Sequence, residues 1–217
     1  MKKSSFIVLI LALFVALGTN VVLAANAKPE GQIVIVGTDV ETLNPMLSES
    51  TYETVVLNGI FSQLIRMDEA GNLVPDLALE VPTVDNGGIS PDGKVFTFHL
   101  RKDAKWHDGK PVTAKDVVFT WEMIMKAPQV VSRDGFDDIQ RMETPDDYTV
   151  VMYLKEQRAA WLLNWAAISG AIIPSHAWKD VAPTEFTKAH VLSRQPIGSG
   201  PFKLAEWKSG SHVILEA

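Results

Sequence analysis

Five histidines are the first residues to weigh for chemistry: His99, His107, His176, His190 and His212. None stands in His-Glu-x-x-His or another zinc-ligand spacing, so a metal site has no support. His107-Asp108 has the residue types of an acid–base pair. Neighbours in a turn point apart, however, and a glycine follows, so a structural or solvent-facing role fits better. Gly198-Ser199-Gly200 is not a nucleophile elbow: the second glycine comes one residue early and Pro201 follows. It is no phosphate loop either, because no Lys-Ser/Thr follows it. Asp137-Asp138 and Asp146-Asp147 lack calcium-loop spacing and read as turn caps. The chain has no cysteine. That removes thiolate metal sites, cysteine nucleophiles, disulfides and a lipid-modified N-terminal cysteine. The residues offer no catalytic constellation and imply no cofactor.

The elements that would position these residues are best marked in 96–121. Phe96, Phe98 and Leu100 alternate with Val95, Thr97 and His99, the period of a strand. His107-Asp-Gly-Lys-Pro111 is turn chemistry. Thr113, three residues before Asp116, opens a capped helix with Val117, Val118, Trp121, Ile124 and Met125 on its apolar face. Pro128 stops it. Upstream, 32–36 is a β-branched run read as a buried strand. Thr42-Leu-Asn-Pro45 is a turn. Ser50 and Glu53 form a second capping box, before a helix expected over 51–66 with Gly59 as a soft point. Downstream, 137–142 reads as a strand or a turn of helix, 148–154 as an alternating strand and 159–165 as a buried helix. A glycine-rich turn enters a strand after Ile197, and 211–217 alternates as another. The six tryptophans read mainly as packing residues.

The composition is that of a globular protein: 47% apolar and 21% charged over 217 residues. Met1-Lys-Lys3, an apolar run of 12 residues from Phe6 to Leu17, and Ala25-Asn-Ala27 form a signal peptide. The run is short for a transmembrane span. Cleavage is expected after Ala27, with Ala24 or Ala25 as alternatives. Removing Lys2 and Lys3 from the 20 basic residues leaves 18 against 26 acidic ones, a balance of about −8. That sign speaks against nucleic acid as a partner. The mature chain is expected to be soluble and exported, and an exported chain without evident chemistry points to binding.

The order of motifs resembles the N-terminal part of family 5 extracellular solute-binding proteins, the dipeptide, oligopeptide and nickel-binding receptors of ABC importers. The residues that carry it are Thr42-Leu-Asn-Pro45, Leu73-Val-Pro-Asp-Leu-Ala78, Phe96 to Trp121, Asp146-Asp-Tyr-Thr-Val150, Ile173-Pro174 and Ile197-Gly-Ser-Gly-Pro-Phe-Lys-Leu-Ala-Glu-Trp207. The resemblance implies an α/β fold of the periplasmic binding protein-like type II, a first lobe with an inserted smaller domain. Residues 28–60 and 166–217 would be parts of the first lobe and 61–165 the insert, with a second lobe beyond Ala217. It implies a periplasmic, monomeric receptor for a peptide or other small-molecule ligand, closing on it and delivering it to a permease in the inner membrane. Nickel complexes, oligosaccharides and opines are also ligands of the family. The segment after Leu43-Asn-Pro45 faces the cleft in the family, which implies ligand-binding roles for Glu49, Ser50 and Thr51. Ser169, with Gly170, is a weaker candidate near the return to the first lobe. Export also leaves a secreted hydrolase, or a sensor or chaperone use of the same lobe, as alternatives.

Overall fold

The computed structural model describes residues 33–217; the expected signal peptide, 1–27, lies outside the described residues. Residues 33–37 belong to an N-terminal unit, and Thr38–Ala217 forms the second compact unit. Ile33 to Val36 are exposed and irregular rather than a buried strand. A strand needs a ladder partner for its backbone groups, and this run has none among the described residues.

Within the second unit, helix α1 spans Thr51–Ile60. It ends well short of the residue expected from the sequence. The chain turns extended at Phe61, and β1 (Ile65–Met67) pairs antiparallel with β2 (Leu73–Pro75). Two carbonyls at the end of α1 find partners far along the chain. Ile60 O accepts from Gly200 N at 2.8 Å, and Gly59 O from Phe202 N at 3.0 Å. These remote donors satisfy the open helix end in place of another turn.

A three-stranded antiparallel sheet orders as β3 (Val95–His99), β5 (Thr149–Leu154) and β4 (Ile139–Asp146). Phe96 and Phe98 face the core and His99 faces out, as the alternation predicts. Helix α2 (Ala114–Lys126) covers the sheet through contacts with β4 and β5. Its buried stripe is Val117, Thr120, Met123 and Ile124, whereas Val118, Trp121 and Met125 are half-buried. The Thr113 N–H donates to the Asp116 carboxylate at 2.8 Å, closing the first turn.

The expected helix at 159–165 is a 3-10 segment, Trp161–Trp165, entered through Ala160 with φ +57°. A left-handed alanine cannot continue a right-handed helix. Trp161 donates its indole N–H to Gly135 O at 2.7 Å, which fixes the segment under the sheet's neighbouring loop. A second 3-10 turn, Ile168–Gly170, packs against α1. Short helices α3 (Ser175–Trp178) and α4 (Val191–Arg194) lead to the hairpin of β6 (Lys203–Lys208) and β7 (His212–Glu216). Trp106, Trp161, Trp165 and Trp178 are buried in the continuous core, as expected of packing residues.

Candidate functional site

The loop between Asp39 and α1 is held by buried groups at both ends. Thr42 Oγ1 accepts from Asn44 N at 3.1 Å, and Asn44 Oδ1 accepts from Met46 N at 3.1 Å. This is the local hydrogen bonding that suits Asn-Pro to a turn. Asn44 Nδ2 donates to Ser193 Oγ at 3.2 Å, and Leu43 N donates to Ser193 O at 2.8 Å. The loop is therefore tied to α4.

Its other anchor is Glu53 on α1, a carboxylate only 2% exposed. One oxygen accepts from the N–H groups of Glu41 at 2.7 Å and Thr42 at 3.2 Å. The other accepts from Ser48 Oγ at 2.8 Å and Glu49 N at 3.3 Å. A buried carboxylate needs such donors to offset its lost hydration. The sequence placed Glu53 in a capping box with Ser50, but that box does not close. Ser50 caps α1 through Tyr52 N at 3.2 Å, while Glu53 reaches one residue further back to Glu49 and gathers the loop.

This frame presents Glu49 and Thr51 to solvent and leaves Ser50 half-buried. Ser169 is half-buried in the 3-10 turn that packs against α1. The three loop residues are thus gathered at the N-terminus of one helix, and Ser169 lies on an element touching that helix. Glu49 is not alone. Lys188 Nζ sits 3.2 Å from Glu49 Oε2 and 2.9 Å from Glu41 Oε2. Both carboxylates hold the Lys188 ammonium above its ordinary lysine range, Glu41 first. Lys188, Glu41 and Ser193 carried no signal in the sequence, because their relation to the loop is set by contacts across some 140 positions.

Beside α4 lies a cleft of about 380 Å³ lined by Arg194, Gln195, Pro196, Leu204, Glu206 and Trp207. The Arg194 guanidinium stacks 3.9 Å from the Trp207 ring, a cation–π contact.

The His107-Asp108 pair is divided between two structural tasks. The His107 ring bridges the glycine loop: Nδ1 accepts from Gly198 N at 3.2 Å and Nε2 lies 3.1 Å from Gly200 O. That pattern fits a neutral ring with its proton on Nε2. Burial pushes the His107 pKa down and Lys203 adds to this, against the Gly200 carbonyl. Asp108 turns to His176 Nε2 at 2.8 Å and to Lys110 Nζ at 3.3 Å. Burial works to raise the Asp108 pKa, but the hydrogen bonds from His176 and Lys110 outweigh it and lower it. Ser175, next to His176, donates its hydroxyl to Asp116 at 2.6 Å. The glycines of Gly198-Ser-Gly200 are required by close approach, since a Cβ at either would collide with backbone at the end of α1.

A three-stranded sheet covered by a capped helix, with a loop anchored at the N-terminus of a second helix, makes a mixed α/β fold. The model of bacterial extracellular solute-binding proteins, family 5 middle, matches residues 72–217, and the chain belongs to that family. It is 33% identical over 196 residues to the oligopeptide-binding protein AppA of Bacillus subtilis, covering 89% of this chain and 35% of the relative. The solved structure of AppA in complex with a nonapeptide superposes with a TM-score of 0.72 at 30% identity, over 83% of this chain and 34% of that one. NikZ of Campylobacter jejuni, solved with Ni(L-His), gives a TM-score of 0.71 at 31% identity, over 84% and 34%. The chain thus spans about a third of the length of these relatives. The mixed α/β fold expected from the sequence is that of these neighbours, with the chain matching only their N-terminal portion.

Proposed function

We propose that this chain is the first ligand-binding lobe of a periplasmic receptor that captures peptides or a similar small solute and delivers it to an ABC permease. It binds and hands over its ligand without chemical turnover, and it works as a monomer exported by the 1–27 signal peptide. Residues 28–60 and 166–217 form the lobe, and 61–165 the inserted smaller domain. Glu49, Ser50, Thr51 and Ser169 face the ligand. The observation that carries this reading is the loop 41–50, whose exposed polar groups stand on buried anchors at Glu53 and Ser193. A preformed polar rim lowers the ordering cost of binding. Peptide stands first among the ligands because AppA, similar over most of this chain, is an oligopeptide-binding protein.

The test uses the full gene product, purified from the periplasm. Native mass spectrometry should find a co-purifying peptide, and calorimetry of the stripped protein should return micromolar or tighter binding for short peptides. A co-purifying nickel chelate, sugar or opine, together with no heat from any peptide, would overturn the peptide assignment.

A further inference from the structure

Glu53 fixes the backbones of two residues whose side chains then converge. Its two carboxylate oxygens take the N–H groups of Glu41 and Glu49. The carboxylates of Glu41 and Glu49 meet at a single cation, Lys188 Nζ, 2.9 and 3.2 Å away. Lys188 comes from a different part of the chain, between the 3-10 turn Pro183–Glu185 and α4. We propose that Lys188 sets the charge selectivity of the binding site: its ammonium occupies the position that a ligand cation would take beside Glu49, and so weakens the preference for a cationic ligand group that two free carboxylates would impose there. The proposal rests on the capture reading above, in which the loop carrying Glu49 faces the ligand.

The geometry favours a selectivity role over a stabilising one. Glu41 and Glu49 have side chains 70% and 67% exposed, and Lys188 is 36% exposed. Exposed pairs of this kind add little to stability, so a stability role gives no reason to bring two carboxylates to one lysine. Their electrostatic effect on a third charge is larger. With Lys188 present the trio carries one net negative charge; without it, two uncompensated carboxylates face an incoming ligand, on backbones that Glu53 fixes. Like-charge contact disfavours the wrong ligand as effectively as attraction favours the right one.

The test compares the full gene product with Lys188→Met and Lys188→Arg. The probes are trialanine and its single-lysine and single-glutamate variants at each position, titrated by calorimetry at low ionic strength. The readout is the ratio of affinities between each charged variant and trialanine. Lys188→Met should raise the lysine ratio about tenfold at one peptide position, the sum of two exposed ion pairs, and lower the glutamate ratio at the same position. Lys188→Arg should leave both ratios as in the wild type. Glu49→Gln added to Lys188→Met should cancel most of the gain. Ratios that do not move, or that move equally at every position, would overturn the selectivity role while leaving peptide capture intact. A wild-type protein that binds no member of the panel would overturn capture, and this proposal with it.

Discussion

Glu53→Ala tests the idea that one buried carboxylate builds the loop 41–50. The substitution removes the acceptor for three backbone N–H groups and one hydroxyl. The Thr42 amide lies in a fully buried residue and makes no other hydrogen bond among the described residues. Hydrogen bonds to a charged group contribute about 1.5–3 kcal/mol when buried, and an orphaned donor costs about 1–3 kcal/mol. The Glu41 and Glu49 residues are exposed, so water recovers part of their loss. The Ser48 hydroxyl can rotate to another partner. Thr42 at nearly full cost and the others at a fraction give about 3–4 kcal/mol. Glu53→Gln keeps one acceptor oxygen but turns an NH2 towards the remaining donors, for about 2 kcal/mol. Urea denaturation with an unchanged m-value reads the stability loss. Hydrogen exchange reads its location: the amides of Glu41, Thr42 and Glu49 should lose protection before the core strands do. A loss below about 1 kcal/mol for Glu53→Ala, with those three amides still protected, would refute the reasoning.

Three further outcomes follow from the fold. His107 is held neutral, with its folded pKa below the unfolded value, so the unfolded chain binds the extra proton first as pH falls. Its stabilisation is complete above about pH 6.5 and is lost below it, with a slope of at most about 1.4 kcal/mol per pH unit; His107→Gln should flatten that slope in denaturation curves taken between pH 7.5 and 5. Ala160→Gly should stabilise by about 0.5–1 kcal/mol, because relief of the left-handed alanine exceeds the added chain entropy, and a melting temperature that falls would contradict this. Gly198→Ala should cost about 3 kcal/mol or more, since the new Cβ meets the Ile60 carbonyl rather than a movable side chain; urea curves read it directly.

The stretch 95–126 was legible because its determinants are local. Strand alternation, the Asp-Gly turn and the Thr113–Asp116 spacing each lie within a few residues, and the structure places β3 and α2 where they point. The end of α1 was not legible. Apolar spacing continues through Phe61 and Leu64, yet the helix stops at Ile60 because Gly200 and Phe202 take its carbonyls. Propensity is a weak prior beside such long-range partners. The run 159–165 shows the same limit at short range: a brief apolar segment does not distinguish an α-helix from a 3-10 turn, and Ala160 decides it.

The candidate site divides along the same line. Asn44-Pro45 announced a turn, and Ser50 announced a helix start, because each bonds to backbone within two residues. Glu53 sits at the spacing of a capping-box partner, and that spacing misleads: its reach also includes the incoming loop, where more donors wait. The partner of Glu49 is further still from inference. A carboxylate in sequence looks free for a ligand cation, but the fold brings Lys188 to it from position 188. Whether such a group attracts a cation or is already neutralised depends on a contact that no local pattern encodes. The local charge at this point of the chain therefore follows from Glu41, Glu49 and Lys188 taken together: Glu49 read alone offers a free carboxylate, whereas in the fold two carboxylates share one ammonium.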